Sequence, residues 1–182
     1  YGSTLSKDGF PHLHFDFMLS NPPYGKTWKI DEYVIVDDRG KKGKEKIKER
    51  NSKAINDDYI KFIRYGQHYI EKNGSGILAF INPHGFLDNL TSRGMRWHLL
   101  QTFDKIINID LHGNSKKKEK SPDGSIDVNV FDIMQGVSIN VFIKTGLKKT
   151  TELSKVLNFN LYGTRESKYE FLSENSIHSI NF

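Results

Sequence analysis

The 182-residue sequence predicts an α/β fold, the second half of a doubly wound, Rossmann-like sheet whose parallel strands end in an antiparallel hairpin. Three observations predict it. Stretches with strand and helix character alternate along the chain. Residues 77–81, Ile-Leu-Ala-Phe-Ile, form a continuous apolar run of the kind buried on both faces of a parallel sheet. The last two strand candidates, residues 128–134 and 137–144, follow one another with no helix between, which sets them antiparallel around a turn at Gln135-Gly136.

Each element has a local cause. Residues 15–20 read as a buried strand, and residues 29–53 as a polar, densely charged excursion exposed to solvent, with Lys41-Lys42-Gly43-Lys44-Glu45-Lys46 at its centre. Asn56 or Asp57 can cap a helix running to about Lys72. Its apolar spacing comes from Ile60, Phe62, Ile63, Gln67 and Ile70, and Asn73-Gly74 stops it. The strand at 77–81 ends at Asn82-Pro83. A second helix is expected over residues 92–103, carrying Met95, Trp97, Leu99 and Leu100, followed by a strand at 106–111 and a lysine-rich loop at 116–125. The sequence shows no internal repeat. Its organisation reads as a partial catalytic domain over residues 1–150 and an extension or linker over residues 151–182, where Tyr162-Gly163-Thr164-Arg165 lies among polar residues.

Composition narrows the chemistry. The formal charge of +5 suits a polyanionic partner without establishing one. With no cysteine, the chain has no disulfide, no thiolate metal site and no cysteine nucleophile. The seven histidines show no His-Glu-x-x-His spacing, so no metal is expected, and no Gly-x-x-x-x-Gly-Lys-Ser/Thr loop supports an ATPase. No apolar run reaches membrane-spanning length and no signal peptide is visible, so the expectation is a soluble cytoplasmic protein without a membrane partner.

The motif richest in chemistry is Asn21-Pro22-Pro23-Tyr24, placed directly after the strand at 15–20. An aromatic exocyclic amine is a poor nucleophile because its lone pair is delocalised into the ring. Two acceptors aimed at its two N–H bonds, the Asn21 side-chain oxygen and the Pro22 main-chain carbonyl, would hold the nitrogen and favour a pyramidal, lone-pair-bearing state. The prolines stiffen the loop, so the acceptors are presented with little reorganisation. Tyr24 would offer a stacking face to a base flipped out of a duplex, and Gly25 would let the backbone pass close to it. A strand-ending turn has a similar composition, and the preceding strand favours the functional reading.

On this motif, the strand before it and the order of the segments after it, the chain resembles the gamma-type adenine-N6 amino-methyltransferases of DNA in restriction-modification systems. The less specific stretches 76–89 and 130–144 extend the resemblance, which covers residues 10–145 and points towards the large single-chain restriction-modification enzymes. It implies a methyltransferase fold, S-adenosylmethionine as cofactor, transfer to N6 of adenine and DNA as partner. The expected catalytic residues are Asn21, Pro22, Pro23 and Tyr24. Asn21 and Pro22 are expected to touch the cofactor, and Tyr24, Gly25, Phe86 and Phe131 the base, with Phe131 as its second aromatic wall. His84 is a candidate for contact with cofactor or DNA backbone. Arg93, Arg96 and the runs 41–53 and 116–120 are candidates for phosphate contact, although a charge run is more often a solvated loop.

Two family features are missing. The sequence has no Asp-Pro-x-x-Gly-x-Gly loop before the motif and no acidic residue after a second strand to hold the ribose. The chain is therefore expected to be the C-terminal half of a catalytic domain, inactive alone. Its missing N-terminal half and a downstream target-recognition domain would be its protein partners. The alternatives are methylation of glutamine in a protein or of adenine in RNA, methylation of cytosine N4, for which Ser at position 21 is more usual, and a non-catalytic DNA-binding module that keeps the fold.

Overall fold

The computed structural model describes residues 16–22, 36–37, 45–46 and 57–182. Five strands form one mixed sheet in the order β1 (Phe17–Ser20), β4 (Gly76–Pro83), β6 (Val137–Lys144), β5 (Lys105–Asp110) and β7 (Lys155–Asn160). β1 is parallel to β4 and β5 to β7, while β6 lies between β4 and β5 antiparallel to both. Four strands thus share one direction, and their carboxyl ends share one edge. The two-residue strands β2 (Val36–Asp37) and β3 (Glu45–Lys46) pair antiparallel within the lysine-rich excursion, whose other residues lie outside the described residues.

Helix α1 (Asp58–Asn73) starts at Asp57 and stops at Gly74, which takes the left-handed cap with φ 85° and returns its N–H to Ile70 and Glu71. Helix α3 (Arg93–Thr102) follows the one-turn helix α2 (Gly85–Asp88) and a 3-10 turn at Leu90–Ser92. Ile60, Ile63 and Ile70 of α1 meet Met95 and Leu99 of α3 over Leu78, Phe80, Ile106 and Phe142 of the sheet. Each such side chain, once buried, contributes about 1.5–3 kcal/mol. Gln67, expected on this stripe, is buried and donates to Thr102 Oγ1 at 2.6 Å, tying α1 to α3.

Along this face the sheet changes character towards its carboxyl edge. Beyond Phe80, Phe142 and Ile106 comes a buried row of asparagines: Asn108 Nδ2 donates to Asn140 Oδ1 at 2.6 Å, and Asn140 Nδ2 to Asn82 Oδ1 at 3.1 Å. These bonds tie the three amides together and offset much of the cost of burying them, although Asn108 Oδ1 has no hydrogen-bond partner among the described residues. No helix among the described residues is long and apolar enough to cross a membrane.

Three sequence expectations change. The strand expected at 128–134 is irregular, so the reversed strand β6 has no hairpin partner there and pairs with β4 and β5. The carbonyls of that segment are taken up by side chains of α4 (Arg165–Glu174): Lys168 Nζ donates to Val128, Arg165 Nε to Asn129 and the Tyr169 hydroxyl to Val130. Residues 151–182, expected as an extension or linker, contain β7, which belongs to the sheet, and α4, whose Phe171 and Leu172 pack against a second cluster around Ile109, Leu111 and Val137. Finally, β1 is an edge strand, with Phe17 68% and Leu19 77% exposed where a buried strand was expected.

Candidate functional site

The carboxyl ends of β1, β4, β5 and β7 deliver Asn21-Pro22, His84, Asp110 to His112, and Asn160 to Tyr162 to one edge of the sheet. Crevices outside such strand ends are where open α/β sheets bind ligands. Asn21 is exposed and Pro22 is buried at the end of β1, beside β4. Pro23, Tyr24 and Gly25 lie outside the described residues.

At the end of β4 an open cavity of about 430 Å³ is lined by Tyr59, His84, Asn89, Ser92, Lys116 and Lys117, among others. Burial pushes the Tyr59 hydroxyl well above its ordinary pKa. Lys117 pairs with Asp88 across 3.1 Å, and both line the cavity. The Ser92 hydroxyl is buried with no hydrogen-bond partner among the described residues.

Beside the cavity lies a cluster that the spacing of the histidines does not reveal. His84 Nδ1 meets Asp110 Oδ1 at 2.9 Å, and His112 Nδ1 meets Glu119 Oε1 at 2.7 Å. Asn114 Oδ1 accepts from the Lys117 N–H, which turns its Nδ2 towards His84 Nε2 at 3.2 Å. His84 Nε2 is therefore the acceptor and Nδ1 the donor, a tautomer assigned from this network. Burial lowers the His84 pKa, but the hydrogen bond and charge of Asp110, with Glu119 nearby, outweigh it and the net shift is upward. Burial raises Asp110, yet His84, the His112 N–H and the His112 charge bring it below the usual carboxylate range. The His112 ring stacks on Tyr162 with centroids 3.9 Å apart and 15° between planes, so the end of β7 closes the cluster from the other side.

Gly136 is required by close approach. Its carbonyl accepts from the His84 N–H at 2.9 Å, and a Cβ there would lie 2.5 Å from His84 Cε1 and 2.9 Å from the His112 carbonyl oxygen. Gly136→Ala is expected to cost about 1–3 kcal/mol and to displace the His84 ring. Denaturant unfolding together with the imidazole nitrogen shifts of His84 measures both effects, and an unchanged protein would contradict the close approach.

The remaining sequence candidates fall in several places. Phe86 is 3% exposed in the core, 6.4 Å centroid to centroid from Tyr59. Phe131, expected on a strand, is off the sheet's ladders and half-buried against the second core cluster. Arg96 donates to the carbonyls of Phe86 and Asn89, at 2.7 and 2.8 Å, and so braces α2 and the turn after it, while Arg93 opens α3. Sequence reading missed Lys168 and Asp127, whose 2.7 Å ion pair has both side chains at 0% exposure. Apart from Glu45 and Lys46, the basic run 41–53 lies outside the described residues.

The mixed α/β sheet has a reversed strand inserted between β4 and β5 and gathers its loops beyond the parallel carboxyl ends, where open α/β sheets bind ligands. The family model described as Eco57I restriction-modification methylase matches residues 4–116, more than half of the sequence, and the chain belongs to that family. The matched stretch includes Asn21 to Tyr24. Among solved structures, the chain is similar to the ATP-dependent Type ISP restriction-modification enzyme LlaBIII bound to DNA, at 25% identity and TM-score 0.67 over 87% of this chain. It is similar in fold to DrdV in its complex with DNA (22% identity, TM-score 0.68, 91% of this chain). It is likewise similar in fold to a nuclease-deletion mutant of the Type ISP enzyme LlaGI in complex with a DNA substrate mimic (19%, 0.65, 90%). The chain spans 11%, 17% and 14% of those three chains, respectively. No curated protein matches it.

Proposed function

We propose that the protein carrying this chain acts in the cytoplasm and transfers the methyl group of S-adenosylmethionine to N6 of adenine in DNA, within a restriction-modification enzyme. The observation that carries the reading is Asn21-Pro22 at the carboxyl end of β1, next to the cavity-bearing end of β4, inside the stretch matched by the family. DNA as substrate is supported by the three similar structures, whose descriptions place DNA or a DNA mimic in each complex.

The chain's own residues would do the following. The Asn21 side-chain oxygen and the Pro22 carbonyl accept from the two N–H bonds of the adenine amine and turn its lone pair towards the incoming methyl group. Tyr24 stacks on the flipped base, and Gly25 leaves room for it. S-adenosylmethionine, when bound, supplies a methyl group on a positively charged sulfur. The N–C bond forms as the S–C bond breaks, and the amine proton leaves to water afterwards, so Asn21 need not be a strong base. Exposed Asn21 and buried Pro22 fit a loop that presents acceptors from a rigid base, and they are the residues here that would touch the cofactor. The sequence contains no Asp-Pro-x-x-Gly-x-Gly loop, so the upstream half of the catalytic domain would supply the rest of the cofactor site, and a target-recognition domain would read the DNA sequence.

The product decides the reading. The full-length protein is incubated with unmethylated DNA and S-adenosylmethionine, and the digested nucleosides are separated by mass spectrometry. N6-methyladenine is expected. N4-methylcytosine, methylated glutamine, methylated RNA in place of DNA, or no product from protein that binds the cofactor would each overturn it.

A further inference from the structure

The cluster of His84, His112 and Glu119 has a charge arrangement that hydrogen bonding leaves incomplete. One ligand-type atom from each of the three lies within 4.8 Å of the other two. Both histidines are buried, at 8% and 7% exposure, and Glu119 is half-buried. Asp110 and Glu119 find their ion-pair partners in the two histidines, and neither is paired with a lysine or arginine among the described residues. Asp127, nearby in the same loop, has Lys168. Both ring nitrogens of His112 face oxygens, Nδ1 that of Glu119 at 2.7 Å and Nε2 that of Asn160 at 3.0 Å. A neutral imidazole has only one N–H, so when Nε2 donates it to Asn160, Nδ1 presents a lone pair beside the Glu119 carboxylate, the pairing a metal ion would bridge.

Each of the three side chains is also held from behind. Asp110 takes His84 Nδ1, Asn160 takes His112 Nε2, and the Asn114 N–H donates to Glu119 Oε2 at 2.9 Å. Outer partners of this kind fix the orientation of ligating histidines and carboxylates. The inward positions are then His84 Nε2, His112 Nδ1 and Glu119 Oε1. The Asn114 amide now donates to His84 Nε2 and would give way, and the His112–Glu119 pair would open by less than about 1 Å to admit an ion with bonds of about 2.1 Å. The adjoining cavity, lined by His84 and Asn114, supplies an entry path and room for a water ligand.

We propose that His84, His112 and Glu119 form a site for a divalent transition metal of the zinc type, which clamps residues 111–136 to the carboxyl ends of β4 and β5. Two imidazoles and one carboxylate form a nitrogen and oxygen set that suits Zn²⁺ better than Ca²⁺ or Mg²⁺, which take oxygen ligands.

The test uses the full-length protein that carries this chain, without a histidine tag, stripped with chelator and dialysed into metal-free buffer. Calorimetric titration with ZnSO₄ is expected to give one ion per chain, and Co²⁺ the visible absorption of a four- or five-coordinate nitrogen and oxygen site. At about a hundredfold excess over Kd, Zn²⁺ should raise Tm by roughly 5–10 °C. Glu119→Gln should weaken binding at least about a hundredfold, and Asn160→Ala, which acts from behind, by about 10- to 100-fold. His178→Gln, on the surface, should leave it unchanged. Absence of stoichiometric Zn²⁺ and of any Tm shift would overturn the proposal. Undiminished binding in Glu119→Gln would overturn it too, by placing the ion elsewhere. If Glu119→Gln fails to fold, the number of imidazole nitrogens shifted by Co²⁺ in the unsubstituted chain decides: two supports the site, and none overturns it.

Discussion

Asn21→Ala in the full-length protein should abolish adenine methylation while leaving the fold intact. The substitution removes one of the two acceptors that would hold the amine, and it does so where charge develops on the nitrogen as its lone pair is committed. Loss of a single preorganised hydrogen-bonding group at such a position costs about 10²- to 10³-fold in kcat, roughly 3–4 kcal/mol. Asn21 is exposed at the end of an edge strand, so the stability change should stay within about 1 kcal/mol. Asn21→Asp keeps an oxygen in the same place and should retain a measurable part of the rate. Single-turnover methylation of a short duplex, run beside a DNA-binding assay, separates the two possible losses. A fall in kcat with DNA affinity held is the expected pattern, and near-normal turnover in Asn21→Ala would sink the role given to this residue.

The largest effect on stability is expected at Lys168. Its ammonium is fully buried, donates to the carbonyls of Leu111 and Val128 at 2.6 and 2.7 Å, and pairs with Asp127. Asp127 in turn accepts from the N–H groups of Gly113 and Gly163, at 2.6 and 2.9 Å, so one ion pair joins the loop after β5 to the segment leading into α4. Lys168→Met leaves the Asp127 charge buried and two carbonyls without their donor, which should cost about 3–5 kcal/mol. For a chain of this size that lowers Tm by roughly 10 °C. Lys168→Met combined with Asp127→Asn should cost less than the sum of the two single changes, because the second removes the orphaned charge while keeping an acceptor for a glycine N–H. Denaturant unfolding of all four forms gives the coupling directly. A Lys168→Met protein within 1 kcal/mol of the starting protein would show that the pair contributes little.

The parts of the fold legible in the sequence share a physical property: one element's own pattern reports them. Helix α1 shows its buried stripe in Ile60, Ile63 and Ile70 and its end in Gly74, and β4 shows itself as an unbroken apolar run, although only the face with Leu78 and Phe80 is fully buried and Ala79 and Ile81 are half-buried. Residues 128–134 carried the same apolar signal and misled, because whether a segment joins a ladder depends on where its carbonyls find donors. Here Lys168, Arg165 and Tyr169 supply them. β7 was missed for the opposite reason. As an edge strand with an alternating, largely exposed pattern, it gives a weak apolar signal and owes its place to pairing with β5.

For the site, the sequence alone determined the tetrapeptide, its strand-end position and hence the chemistry proposed for Asn21 and Pro22. Tertiary structure decided the rest: that β6 inserts between β4 and β5, that Phe86 and Phe131 face cores, and that His84, Asp110, His112, Glu119 and Asn160 meet. Periodicity records which side of an element is hidden from water. It carries no information about which distant element hides it, and five residues delivered by three strand ends and a loop acquire their charges' partners only when the sheet is assembled.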